Sequence, residues 1–142
     1  ALNRFDGIIL AAAGIKRLQL TQHIKEYLDH DTFIPAASQG AIIVTCKKNN
    51  PSLIHFIEKI NDSQTRLCVE TERAICAGLS LDCHAPIGVY ASIENNSIIQ
   101  VRISLLWENR FIQMKQSGQV DQQDVLISEI VNKIDRERGV QS

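Results

Sequence analysis

From Ile87 to Leu105 the apolar residues fall at every second position. Ile87, Val89, Ala91 and Ile93 alternate with Gly88, Tyr90 and Ser92; then Ile99, Val101, Ile103 and Leu105 alternate with Gln100, Arg102 and Ser104. A period of two places every apolar side chain on one side of a pleated strand, so this stretch predicts a half-buried antiparallel sheet. Asn95-Asn96 supplies the first turn, Glu108-Asn109 a second, and Arg110 to about Gln116 a third strand. The apolar face of such a meander needs a cover. Leu126, Ile127, Ile130, Val131 and Ile134 recur at helical spacing, with Asp121 as candidate cap and Gly139 at the exit, so the last helix is the expected cover. A helix starting at the polar break Asn61-Asp62-Ser63 and running to about Gly78 completes a small α+β unit over residues 62–142.

The first part of the chain reads differently. Gly7 to Ala12 is continuously apolar, the mark of a strand buried on both faces in a parallel α/β sheet. Ala13 to Leu18 turns into a short helix that sets Lys16 and Arg17 at the carboxyl edge of that strand, where open α/β sheets bind ligands. Residues 19–33 are polar and mixed, fitting short helical turns. Phe33 to Gly40 reads as an extended crossing between lobes, because Pro35 disfavours a helical Ile34 and Gly40 permits unusual dihedrals. Ala41 to Cys46 is a second expected buried strand. Asn50 caps a following helix with Pro51 in its first turn and Leu53, Ile54, Ile57 and Ile60 as its stripe. The expected fold is thus α/β plus α+β, divided as residues 1–33, the crossing, strand and helix of 34–61, and 62–142.

With 15 basic against 16 acidic residues the net charge is -1, and no overall field favours nucleic acid or an anionic membrane. An anionic ligand has to be met by local arginines. The longest apolar stretch, Gly7 to Ile15, is far shorter than the ~20 residues of a membrane span, and no basic n-region precedes it. A cytoplasmic protein with reduced thiols is expected, since the four cysteines include no C-x-x-C pair and point to no metal. The chain opens without methionine and runs at once into an apolar strand pattern, which reads as a fragment of a longer polypeptide.

Of the cysteines, Cys83 has the setting for chemistry. It lies in Leu81-Asp82-Cys83-His84-Ala85-Pro86, where helical periodicity gives way to strand periodicity, so firm elements flank a turn whose sulfur can face a cleft. Cys68 and Cys76 fall within a helix and Cys46 closes an apolar run, where free cysteine behaves as a small hydrophobe.

Four blocks, Asp6-Gly7-Ile8-Ile9-Leu10-Ala11-Ala12-Ala13-Gly14-Ile15-Lys16-Arg17-Leu18, Ile34-Pro35-Ala36-Ala37-Ser38-Gln39-Gly40-Ala41, Glu72-Arg73-Ala74 and Cys83-His84-Ala85-Pro86-Ile87-Gly88-Val89-Tyr90-Ala91, resemble in order and spacing the porphobilinogen deaminase (hydroxymethylbilane synthase) family. The resemblance covers the second part of the family's longer sequence. It implies that 1–33 end a domain 2 built like a periplasmic binding protein, that 34–61 return to domain 1, and that 62–142 form domain 3. It further implies that Cys83 carries a dipyrromethane cofactor through a thioether and that four porphobilinogen units are condensed on it, with loss of ammonia, in tetrapyrrole and haem biosynthesis. A cysteine that keeps its carbon-sulfur bond needs no adjacent base, so His84 reads as a turn residue.

The acidic arms of porphobilinogen and of the oligopyrrole intermediates call for guanidinium forks. The resemblance assigns that task to Arg17, with Lys16 beside it, and gives Gln39 and Gly40 either cofactor contact or a hinge role. Arg66, Glu72 and Arg73 match family positions and are expected to form an ion-pair network on their helix. The chain departs from the family in having Leu81-Asp82 for a usual Gly-Gly and Ser38 for a usual glycine. No catalytic residue is expected within the chain, because the family's aspartate belongs to its amino-terminal half; that half is the expected partner, and the isolated piece is expected to be inactive. The alternatives are a non-catalytic anion-binding module of periplasmic-binding-protein type and an ordinary α+β interaction domain.

Overall fold

A computed structural model of the chain describes residues 5–81 and 85–139. Three strands, β1 (Ile87–Glu94), β2 (Ile98–Trp107) and β3 (Arg110–Gln119), form an antiparallel sheet in the order β1-β2-β3. The register sets Val89 opposite Ile103, Ala91 opposite Val101, and Leu105 opposite Ile112, so apolar side chains meet on one face across all three strands. The β2–β3 connection is the two-residue turn Glu108-Asn109, and both residues take the positive φ that matches the sheet's twist. β3 runs to Gln119, three residues beyond the expected end.

Two helices cover the apolar face. We number the helices α1 (Ala12–Arg17), α2 (Pro51–Glu58), α3 (Ser63–Gly78) and α4 (Gln123–Arg138). α3 starts where the sequence indicates, with the Asp62 carboxylate accepting from Thr65 N at 2.7 Å. It buries Ile75, and Leu79 just beyond it, while α4 buries Leu126, Ile130 and Ile134 against the sheet. Gly139 ends α4 in the left-handed conformation (φ 74°), as a glycine at that position allows. Asp121 is not the cap of α4: a 3-10 turn, Val120–Gln122, intervenes, and no side chain caps the helix.

The expected parallel strands do not form. Residues 5–61 contain no strand among the described residues, although α1, the Thr21–His23 turn and α2 fall where the pattern puts them. Residues 7–10 make no backbone hydrogen bond among the described residues, and Ile8, Ile42 and Ile43 are 76%, 93% and 64% exposed. A strand exists only as a paired element, and no described segment lies beside these runs to supply the ladder. For the same reason the α2 stripe stays open, with Leu53 and Ile60 exposed beside half-buried Ile54 and Ile57. The accessible surface of 10947 Å² exceeds the ~7,400 Å² that a compact monomer of this mass presents. Most of the exposed large apolar side chains, Ile8, Ile9, Leu10, Ile42 and Phe56 among them, lie before residue 61.

Candidate functional site

The crossing segment docks on the free edge of β1. Val89 N donates to the Pro35 carbonyl at 2.9 Å, and Ala37 packs against the sheet's core. Gly88 is required for this approach: a Cβ there would run into the carbonyl oxygen of Ile34. Glu72 completes the junction from α3. Only 5% exposed, it accepts from Ser38 N at 2.6 Å with one oxygen and from Ala91 N at 2.8 Å with the other. Burial outweighs these two backbone bonds and raises its pKa above the ordinary carboxylate value.

The turn that follows carries two of the sequence-designated residues. Ser38 (φ 65°) and Gly40 (φ 90°) both adopt left-handed backbone, which a glycine takes freely and a residue with a Cβ rarely does. Gln39 lies between them, exposed, its side-chain oxygen accepting from Ala36 N at 3.3 Å. Gly40 borders an open groove whose opposite wall includes Arg66 and Arg73 of α3. The expected ion-pair network is not what the structure contains. Arg66 pairs with Glu70 at 2.7 Å, Arg73 is exposed, and Glu72 serves backbone amides instead of a cation, because its side chain points inward from the helix face opposite to solvent.

Arg17 ends α1 with its guanidinium exposed and makes no hydrogen bond or ion pair among the described residues. Lys16 lies with its Nζ 5.5 Å from the centre of the Tyr27 ring. Cys83 and His84 lie outside the described residues. The described residues on either side of them are firmly held: Leu79 is 1% exposed, Leu81 packs on the core, and Ile87 N donates to Ala85 O at 2.8 Å. Arg138, from the end of α4, secures the near side. Its Nη1 donates to the Leu79 carbonyl and to Asp135, each at 2.9 Å, and its guanidinium lies 4.2 Å from the centre of the Trp107 ring. Sequence reasoning missed both Glu72's actual partners and Arg138, since neither bond spacing nor periodicity signals a contact 34 or 59 residues away.

A third contact zone lies on the other face of the sheet. Asp31 pairs with Arg102 and, at 3.4 Å, with Lys115; its carbonyl accepts from Gln113 at 3.1 Å, and His30 stacks on Tyr90 with ring centres 4.3 Å apart. Cys68 and Cys76, on α3, have thiol pKa values raised first by burial and then by the Glu72 charge, as suits structural rather than reactive cysteines. Among the described residues no group of three or more His, Cys, Asp or Glu could hold a metal ion. No described helix is long and apolar enough to cross a membrane.

Two family models match the chain in tandem, "Porphobilinogen deaminase, dipyromethane cofactor binding domain" over residues 1–55 and "Porphobilinogen deaminase, C-terminal domain" over 66–135. The chain belongs to the porphobilinogen deaminase family. Among curated relatives, the porphobilinogen deaminase of Clostridium beijerinckii is 45% identical over 98 residues, 69% of this chain and 33% of that protein. That of Legionella pneumophila (strain Lens) is 32% identical over 124 residues, 86% of this chain and 40% of that protein, and that of Blochmanniella floridana 39% identical over 95 residues, 67% and 30%. The chain therefore spans about a third to two fifths of the length of the relatives it matches. The sheet with its two helices is the part matched by the family's C-terminal domain.

Proposed function

We propose that this chain is the carboxyl-terminal part of a hydroxymethylbilane synthase in which Cys83 carries a dipyrromethane cofactor. The observation that carries the reading is the tandem match of both family models, the first described by its cofactor. The residues present suit such a group. The described residues on either side of Cys83 belong to or adjoin α3 and β1, with Arg138 bonded to the Leu79 carbonyl, while the Gly40 turn opens onto a groove bordered by Arg66 and Arg73.

When bound, the dipyrromethane supplies the primer to which four porphobilinogen units are joined. Cys83 would hold it through a thioether from its sulfur, a bond inert enough to keep the primer in place. Arg17, exposed and without an ionic partner among the described residues, receives an acidic arm through a two-pronged hydrogen bond. Gln39 and Gly40 offer an amide and a bare backbone to the same ligand. In this reading residues 7–12 and 41–46 are strands of the α/β lobes, paired in the complete protein; residues 1–33 close domain 2, 34–61 return to domain 1, and 62–142 form domain 3. The isolated chain does not turn over, because the family's aspartate lies outside the matched part.

Intact mass of the complete protein made in cells, with and without Cys83→Ala, tests this. The expected result is an added mass of two pyrrole rings that disappears in the variant. An unmodified wild-type thiol would overturn the cofactor assignment, and formation of hydroxymethylbilane by the 142-residue chain alone would overturn its inactivity.

A further inference from the structure

Glu72 holds an unusual position for a carboxylate: buried, with no cation bonded to it among the described residues, and bonded by its two oxygens to two separate pieces of backbone. One is Ser38, which opens the left-handed turn containing Gln39 and Gly40. The other is Ala91, on β1, which follows Cys83 in the sequence, while Glu72 itself rides on α3, which precedes it. We infer that Glu72 is a positioning residue, a clasp that fixes the Gln39-Gly40 turn against α3 and β1, the two elements between which Cys83 falls in the sequence. The inference rests on the proposed function for what the two pieces do, though not for the clasp itself.

The chemistry favours a carboxylate here over any other side chain. Both partners are N–H donors, so the bridging group must accept on both sides, and only a carboxylate has two oxygens at that span and no donor. Beyond the packing of Ala37, few bonds hold the crossing segment itself. Among the described residues its one backbone bond to the sheet is the Val89–Pro35 bond, and Ile42, Ile43 and Val44 beyond it are exposed. Ser38 at φ 65° is a strained choice for a residue with a Cβ, and such a conformation persists only where the surroundings impose it. The Glu72 bond to its amide is that imposition.

Glu72→Gln is the direct test, since an amide keeps the shape but turns one acceptor into a donor facing a donor. In the 142-residue chain, hydrogen exchange at both Ser38 and Ala91 is expected to quicken, by roughly 10- to 100-fold at the amide that loses its acceptor and by less at the one whose charge-assisted bond becomes a neutral one, while Val101 and Ile103 in the central strand change by less than about threefold. Gly88→Ala, which displaces Ile34 without touching Glu72, should quicken Ser38 in the same way and provides the test if Glu72→Gln fails to fold. In the complete protein, Glu72→Gln should retain the mass adduct on Cys83 while porphobilinogen consumption at saturating substrate falls roughly 10- to 100-fold through misplacement. Unchanged exchange at Ser38, or equal acceleration throughout the sheet, overturns the clasp; full turnover with quickened exchange overturns its positioning role. Absence of the adduct from the wild-type protein would overturn the proposed function instead and leave the exchange result standing.

Discussion

Arg138 ties the end of α4 to the end of α3, and its removal should cost more than any other single polar change. Arg138→Ala deletes a charge-assisted hydrogen bond to the Leu79 carbonyl, of the kind that contributes about 1.5–3 kcal/mol. It also deletes a cation–π contact with Trp107 at 4.2 Å that, with the side chain only 7% exposed, is of the order of 1–2 kcal/mol. The Asp135 carboxylate, 21% exposed, loses its partner but regains water, so that bond adds little. Contacts sharing one guanidinium are not additive, and the expected loss is about 3 kcal/mol. For a domain of this size that lowers the melting temperature by roughly 12–24 °C. Urea denaturation of the 142-residue chain measures it, with an unchanged slope showing that the same surface unfolds. Arg138→Lys keeps the charge without the plane and should recover less than half. A loss below about 1 kcal/mol for the alanine variant, or full recovery by lysine, would refute the account of the capped helix and stacked guanidinium.

The contact of Asp31 with the sheet should fail in acid. Its hydrogen bond to Arg102 chiefly holds the Asp31 carboxyl below the ordinary carboxylate range, so the folded state binds fewer protons than the unfolded chain; the contact is complete above the usual carboxylate value and is lost as pH falls through the depressed one. Following the Tyr90 ring resonances from pH 7 to 2 should show His30 departing along that titration, and Asp31→Asn should have it displaced already at pH 7; a Tyr90 environment indifferent to both would refute the latch. The two helical thiols offer a separate check. Partial burial and the nearby Glu72 charge raise the pKa values of Cys68 and Cys76, so at pH 8 both should alkylate several-fold more slowly than a free cysteine in a peptide, as read by peptide mass after a timed iodoacetamide pulse; labelling at the free-thiol rate would refute their half-buried placement against the core.

The alternation of Ile87 to Leu105 and the helical spacing of Leu126, Ile130 and Ile134 were sufficient to specify the sheet, its turns and its cover, because both patterns follow from the backbone's own periods and need no knowledge of the partner. Family membership was legible too, in the blocks at 6–18, 34–41, 72–74 and 83–91. The buried strands expected at 7–12 and 41–46 were another matter: an apolar run states a need for neighbours, and only tertiary structure decides whether a ladder is there to meet it. Glu72, Arg138 and Asp31 show the same limit among polar residues. Each bonds to residues distant in sequence, at Ser38, Leu79 and Arg102, and a carboxylate or guanidinium carries no mark of its partner until the chain has folded and brought the two within reach.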